Sequence, residues 1–340
     1  MNSTLLFLIT VFIWGTSWIG IALQIGPVPV GVSVLYRIAL AAVLLLLGLA
    51  AMGRLRRPAQ WRFVALQALC LFSLNFIALY NAAVLIPSGL LSVVFSLASI
   101  FNALNARLFF GERITARVLL AGGIGVTGLV LLFWEGLAIS FDPDTLRGLG
   151  WAALGTMIFS WGNMASRRNS AAGTPPIIAN AWGMGIGALV LLGLAFATGQ
   201  TLTLPQSPIY LAALLYLAVF ASVIGFTTYL MLVSQIGSAQ AGYATVMFLI
   251  VALAVSTVFE GYVWTPTAML GAGLALLGNV VMFAQPRRKR AAPPRRARPD
   301  PREIGVLARA KQGQNPAKPP LSLYRRNTDV LPTCRFRPSQ

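Results

Sequence analysis

The 340-residue chain is 57% hydrophobic, only 10% charged, and carries a formal net charge of +18. A soluble domain has about 25% charged residues, so this composition excludes an ordinary soluble protein and predicts an all-α polytopic membrane protein. A zinc site of the usual kind is not expected, because the chain has no histidine, and neither is another cofactor. Cys70 lies in an apolar segment and Cys334 far along the C-terminal tail, so no disulfide is expected.

Ten apolar segments are long enough to cross a bilayer, which takes a helix of about 20 residues. In chain order they are 4–24, 31–52, 63–82, 86–110, 116–134, 148–167, 176–198, 209–234, 239–259 and 266–284. They form two sets of five, and landmarks of the first set recur about 148 residues later. Trp14-Gly15 and Gly111-Glu112 are matched by Trp161-Gly162 and Glu260-Gly261.

Each set has an odd number of crossings, so the second set must enter the membrane in the opposite orientation. The sequence therefore predicts ten transmembrane helices as two inverted five-helix repeats, residues 1–135 and 136–284, followed by a basic tail, 285–340. Inverted repeats of this kind are typical of secondary transporters.

The charged residues of the loops predict the orientation, because basic residues in short loops stay on the cytoplasmic side. With both termini cytoplasmic, the inward-facing loops and helix ends carry Arg54, Arg56, Arg57, Arg62, Arg113, Arg117, Arg167 and Arg168. The outward-facing fifth loop carries Glu135, Asp142 and Asp144, with a single Arg147.

The tail, 285–340, is rich in arginine and proline and shows no helical period. It is predicted to be disordered and to lie along anionic lipid headgroups on the cytoplasmic side. Nucleic-acid binding is not expected, because no stacking aromatic residues are interleaved with the arginines. A protein-docking or regulatory role is the alternative.

Arg37 is the clearest ionisable residue within a span, about six residues, or about 9 Å, inside the second segment. An intramembrane charge usually faces a cavity or a partner. One interpretation is a cavity-facing cation that attracts a carboxylate or phosphate on a substrate. The other is an arginine that reaches the outer headgroups or pairs with carbonyls at a helix end.

No acidic residue falls in the middle of a span, so a proton relay through the bilayer centre is not predicted. Glu112 and Glu260 occupy matching span ends, and both are expected to be structural. Glu112 is expected to pair with Arg113 or Arg107, and Glu260 to hydrogen-bond a neighbouring helix end.

Polar and aromatic residues inside the spans are the candidate substrate contacts. Asparagine and tyrosine side chains are expected to hydrogen-bond the substrate, namely Asn75, Tyr80, Asn102, Asn163, Tyr229 and Tyr243. Trp14 and Trp161 lie at equivalent depths, away from the interfaces where tryptophan collects, and are expected to form walls of a central cavity. Packing against glycine-rich neighbours is the alternative for both.

Small residues predict close helix packing. Serines recur on one face of the fourth span, at Ser88, Ser92, Ser96 and Ser99. The fifth span carries Gly122, Gly123, Gly125 and Gly128, and the tenth carries Gly271, Gly273 and Gly278. These two spans are expected to pack as a scaffold or as the contact of a homodimer.

Eight segments resemble a known family. They are FIWGTSW (12–18), LYRIALAAVLLLL (35–47), IPSGLLSVVFSL (86–97), NARLFFGERIT (105–115), AGGIGVTGLVLLF (121–133), FSWGNMASRR (159–168), GSAQAGYATVMF (237–248) and VFEGYVWT (258–265). The chain resembles the drug/metabolite transporter superfamily, and in particular its EamA-type ten-span group, over about residues 4–284. It departs from the family in lacking the frequent mid-span proline of the fourth and ninth spans, and in the order Glu260-Gly261.

The resemblance implies ten helices around a central cavity, alternating access by rocking of the two halves, and export of metabolites, often amino acids, from bacteria. We therefore expect a secondary transporter of the bacterial inner membrane that exports a small metabolite such as an amino acid. Arg37 would hold an anionic group, and the deep tryptophans would stack on an apolar part. The alternatives are a membrane anchor or sensor that acts through the tail, and a membrane-embedded enzyme. An enzyme would need a buried acid, histidine or metal, which the spans lack.

Overall fold

The computed structural model describes residues 2–26, 28–134, 142–203, 206–241 and 243–283. Met1–Ala284 forms one compact unit. All regular secondary structure in the described part is helical, which confirms the predicted fold class. Glu135 and the tail, 285–340, lie outside the described residues, so the predictions made for them stay predictions.

When segments joined without a break are counted once, the described residues form ten helices, α1 to α10. They are α1 Ser3–Ala22, α2 Val30–Ala51, α3 Trp61–Leu85, α4 Ser88–Phe110, α5 Ala116–Leu132, α6 Pro143–Ala171, α7 Pro176–Ala197, α8 (Pro208–Tyr216, Leu217–Gly225 and Phe226–Ala241), α9 Tyr243–Phe259 and α10 Pro266–Phe283.

Six of these helices contain a stretch long and apolar enough to cross a membrane, namely α1, α2, α3, α4, α7 and α8. Shorter apolar stretches occupy α5, α9 and α10. The chain is therefore a multi-pass membrane protein. The more polar α6 belongs to neither group, so the count of ten crossings stays a prediction.

Left-handed glycines end α4 and α9. Gly111 follows α4 with φ 69°, and Gly261 follows α9 with φ 63°. Glycine is favoured there because it has no Cβ to clash in the left-handed conformation that closes a helix. The glycine of the repeated Gly-Glu pair thus ends a helix in both halves, although it precedes the glutamate in the first half and follows it in the second.

Two π-helical segments interrupt α3 and α8, at Cys70–Leu74 and Leu217–Gly225. They begin about 147 residues apart, so they occupy matching places in the two halves. The sequence did not predict them, because a π turn changes neither the length nor the apolar character of a span. Such segments are rare and occur frequently at functional sites.

Most of the contacts between helices are kept when each helix is exchanged with its counterpart five helices away. The pairs α2–α7, α4–α9 and α5–α10 map onto themselves. The contact α3–α6 becomes α8–α1, α1–α9 becomes α6–α4, and α2–α8 becomes α7–α3, and all of these are present. Two repeats related by a two-fold axis would give this pattern.

Glycines let α5 and α10 approach until their backbones touch. A Cβ added to Gly128 would lie 2.6 Å from the Gly271 carbonyl oxygen, and one added to Gly278 would lie 2.8 Å from the Ala121 carbonyl oxygen. These glycines therefore face each other within one chain, as the scaffold alternative expects. The homodimer stays a prediction.

Candidate functional site

A central cavity lies between helices of the two halves. Its walls come from α1, α2, α3 and α4 of the first half and from α6, α8 and α9 of the second. The lining residues are Trp14, Ser17, Trp18, Ile21, Arg37, Asn75, Phe76, Leu79, Phe95, Phe159, Phe226 and Phe248. The cavity volume that the centre of a water molecule can occupy is about 40 Å³, so the cavity has room for only a few waters. Side chains must therefore move before a metabolite can enter.

Arg37 is the one charged residue in this wall, and its side chain is 2% exposed. Its Nε donates to the Ser222 hydroxyl at 3.0 Å, and its guanidinium carbon lies 4.3 Å from the centre of the Phe76 ring. The ion pairs among the described residues do not include Arg37. The structure thus gives the cavity-facing arrangement and not a side chain that reaches the headgroups. A buried cation that lacks a carboxylate partner is a natural site for an anion.

Tyr80 holds Arg37 in place from behind the cavity wall. Arg37 Nη1 donates to the Tyr80 hydroxyl at 3.4 Å, and that hydroxyl donates to Gln24 Oε1 at 2.6 Å. Because a tyrosine hydroxyl has a single hydrogen, its donor is already in use. Tyr80, predicted as a substrate contact, is therefore placed as a support for Arg37.

Trp14 forms one wall of the cavity within a cluster of aromatic rings. Its ring centre lies 4.7 Å from that of Tyr229 and 5.1 Å from that of Phe226. Its Nε1 donates to the Ala221 carbonyl oxygen at 3.3 Å. A Cβ on Gly225 would lie 2.5 Å from this nitrogen, so glycine makes room for the indole. Trp14 thus offers its ring face to the cavity, and Tyr229 packs behind it.

Two buried polar atoms in the wall have no hydrogen-bond partner. They are Nε1 of Trp18 and Oδ1 of Asn75. Leaving a buried polar atom unpaired costs roughly 1–3 kcal/mol. The sequence analysis missed Trp18, although its position one helical turn after Trp14 places the two indoles on one face of α1.

The structure does not bring Trp161 to the cavity. Its side chain is 41% exposed among the large hydrophobic residues of the outer surface, whereas Phe159 is buried in the cavity wall. Two residues along an α-helix turn by about 200°, so the two side chains leave α6 on nearly opposite faces. The expectation that Trp14 and Trp161 both form cavity walls is therefore not met. Phe159 takes this place on α6, with its ring centre 6.3 Å from that of Trp14.

Asn102 and Asn163 join two helices outside the cavity wall. Asn163 Nδ2 donates to Asn102 Oδ1 at 3.3 Å, which links α4 to α6. Neither residue lines the cavity, so their expected contact with a substrate stays a prediction. The side chain of Tyr243 lies outside the described ones.

The two repeat-related glutamates differ in their partners. The Glu260 carboxylate accepts from the backbone N–H of Ser88, at 3.2 Å, and from its hydroxyl, at 2.6 Å, which confirms the predicted bond to a helix end. Glu112 pairs with Arg167 of α6, so its expected pairing with Arg113 or Arg107 was wrong. Arg167 packs over the Phe110 ring at 4.2 Å, which brings it beside the end of α4.

No cluster of three or more histidine, cysteine or acidic residues that could hold a metal occurs in the part of the chain that the structure describes. A cavity between two bundles of apolar helices, with one buried cation in its wall, is instead typical of a secondary transporter.

Comparison with known proteins places the chain within this class. The sequence model of the EamA-like transporter family matches residues 1–134 and again residues 146–284. The chain therefore belongs to the EamA-like transporter family of the drug/metabolite transporter superfamily, as the resemblance predicted, and is a membrane transporter.

Two relatives are informative. A protein of Streptantibioticus cattleyicolor named "Probable terminal-alkyne amino-acid exporter" is 24% identical over 304 residues, which cover 85% of this chain and 96% of that protein. A crystal structure described only as that of a protein is similar with a TM-score of 0.62 and 20% identity, over 82% of this chain and 95% of the other. The second similarity supports the fold alone.

Proposed function

We propose that this protein is a secondary exporter, in the bacterial inner membrane, of a small amphipathic metabolite such as an amino acid. The observation that carries the proposal is the placement of Arg37. Its guanidinium is buried, has no carboxylate partner among the described residues, and faces a cavity built by both halves. An anionic group on the substrate would complete this site.

The remaining wall favours an apolar body on the same substrate. Five phenylalanines and two tryptophans line the cavity, and aromatic rings bury large apolar areas. The few polar residues of the wall lie among mostly aromatic ones, as in other small-molecule sites. The named activity of the S. cattleyicolor relative supports an amino acid as the first class to test.

Alternating access would move one half against the other around this cavity. The proposal takes residues 1–135 and 136–284 as inverted five-helix repeats, with both termini cytoplasmic. The exchange symmetry of the helix contacts supports two related repeats, and so does the double match of the family model. An odd number of crossings per repeat is the argument for inversion.

Coupling to protons through a carboxylate in the cavity is not part of the proposal, because none of the lining residues is acidic. The flux is therefore expected to persist without a pH gradient. A substrate gradient alone would then drive exchange in a sealed vesicle.

The test is transport by the full chain in proteoliposomes, against a panel of amino acids, purines and sugars, with and without a pH gradient. Saturable, protein-dependent flux of at least one amino acid is expected. Deleting 286–340 should leave most of that flux, whereas a membrane anchor that acts through the tail would show no flux in either form. Absence of flux across the whole panel contradicts the proposal.

A further inference from the structure

The cavity wall contains two hydrogen-bonding atoms that have no partner among the described residues. We propose that Trp18 and Asn75 determine which polar head the carrier accepts, with the Trp18 indole N–H donating to an anionic group and the Asn75 amide oxygen accepting from an ammonium. This inference rests on the proposed function, and it names the substrate as a zwitterion whose ammonium and carboxylate groups are bonded to the same carbon atom.

Trp18 supplies an indole N–H donor in the cavity wall. Its side chain is 5% exposed, and its ring packs against Phe95 at 5.2 Å and Phe248 at 6.2 Å between centres. The indole has a single polar atom, which only donates. Because no described residue accepts from Nε1, an oxygen of a bound ligand can serve as its partner.

Asn75 supplies the complementary acceptor on the facing helix. Asn75 is 1% exposed, and its Oδ1 accepts no hydrogen bond from the part of the chain that the structure describes. Asn75 directly follows the π segment Cys70–Leu74, and its neighbour Phe76 lies beneath the Arg37 guanidinium. Asn75 and Arg37 thus line the same cavity.

Arg37 provides the charge that the donor of Trp18 complements. A guanidinium has five N–H donors, and the described hydrogen bonds use one on Nε and one on Nη1. Donors remain for a carboxylate, which guanidinium groups bind with two parallel hydrogen bonds. The cavity wall thus has two donor groups, the Arg37 guanidinium and the Trp18 indole, and one acceptor, the Asn75 amide oxygen. This set suits a carboxylate beside an ammonium better than either group alone.

Other unpaired buried atoms do not offer this combination. In the described part of the chain, the other residues with such atoms lie outside the cavity wall, namely Gln24, Asn169, Asn180, Gln200 and Thr227. Asn169 and Asn180 both hydrogen-bond Gln67 in a separate amide cluster. Of these residues, Trp18 and Asn75 are thus the two that line the cavity.

The test compares matched ligands on the purified full chain in detergent, by equilibrium binding. Two series are used, namely leucine with 4-methylpentanoate and 3-methylbutylamine, and phenylalanine with 3-phenylpropionate and 2-phenylethylamine. Each analogue lacks the ammonium or the carboxylate and keeps the apolar body. Wild-type protein is expected to bind at least one of the amino acids about 10-fold or more tightly than either of its analogues, because each analogue leaves a buried atom unpaired.

Two variants assign this preference to the two side chains. Trp18→Phe keeps an aromatic ring without the N–H. It should weaken binding of the amino acid and of the acid about equally, and it should leave binding of the amine unchanged. Asn75→Leu removes the acceptor for the ammonium. The ratio of the Kd of the acid to the Kd of the amino acid should therefore fall towards one. Trp151→Phe, on the outer surface, and Asn81→Leu, outside the cavity wall, are the matched controls and should keep wild-type selectivity.

Equal binding of an amino acid and either of its analogues by wild-type protein overturns the inference, and this comparison does not depend on any variant folding. Wild-type selectivity in a folded Trp18→Phe or Asn75→Leu protein overturns the assignment as well. Amino-acid flux without head-group selectivity would leave the proposed function standing and refute this inference. Absence of both flux and binding would refute the two together.

Discussion

Replacing Arg37 with methionine is expected to weaken binding of an anionic substrate strongly while leaving the fold intact. Methionine approximates the length of the arginine stem and can keep the contact with Phe76. It removes every N–H of the guanidinium that a carboxylate would use. A hydrogen bond to a charged group contributes roughly 1.5–3 kcal/mol. Because 1.36 kcal/mol corresponds to tenfold, the Kd should rise by about 10- to 150-fold.

The stability of the Arg37→Met protein is expected to change little. Removal of the cation leaves Tyr80 its donation to Gln24, and it relieves the desolvation of a charge that has no acid partner. Arg37→Lys is the matched control, because it retains the charge and loses the planar fork, and it should give an intermediate Kd. Titration calorimetry with the best-bound amino acid measures the Kd, and thermal unfolding in the same detergent measures the stability. A wild-type Kd in a folded Arg37→Met protein would refute the role given to this residue.

Gly128→Ala is expected to destabilise the protein by roughly 1–3 kcal/mol, because the new Cβ would lie 2.6 Å from a carbonyl oxygen of α10; an unchanged melting temperature would contradict this packing. Trp161→Leu should transport at the wild-type rate, whereas Phe159→Leu should be slower because it removes a ring from the cavity wall; equal proteoliposome rates for the two variants would contradict the placement. Asp142→Ala should melt earlier than wild type at neutral pH, because the Asp142 side chain caps α6. A hydrogen bond from the Thr145 hydroxyl helps to lower the pKa of Asp142 below its ordinary value of 3.8. The difference in melting temperature between wild type and Asp142→Ala is therefore present above pH 3.8 and should disappear as the pH falls through the lowered pKa. A melting-temperature difference that is independent of pH would contradict this linkage.

The span pattern was predictable because a bilayer dictates the length and apolar character of a helix that crosses it. The helix ends followed from glycine, as Gly111 shows. The π segments were not predictable, since they leave no compositional signal. Their effect is local but important, because the residues that follow them, Asn75 and Phe226, both line the cavity.

The rotation of each helix about its axis was the weakest part of the sequence-based prediction. Trp14 and Trp161 match in depth along the repeats, but depth does not say which face points inward. In a bilayer the outer face is as apolar as the core, so the contrast that orients a helix of a soluble protein is missing. The surroundings of Arg37 were easier to predict, because a charged side chain within a span must face a cavity, pair with a partner or reach the lipid headgroups.

The proposed mechanism takes the two halves as inverted repeats that enter the membrane from opposite sides, and cysteine labelling tests this most directly. In a chain whose native Cys70 and Cys334 are replaced, Arg56→Cys and Asp142→Cys each provide one reactive thiol. A membrane-impermeant maleimide should label Asp142→Cys in cells whose inner membrane is intact, and Arg56→Cys only after that membrane is opened. Labelling of both positions in the same compartment would contradict the inverted repeat, and with it the transport mechanism.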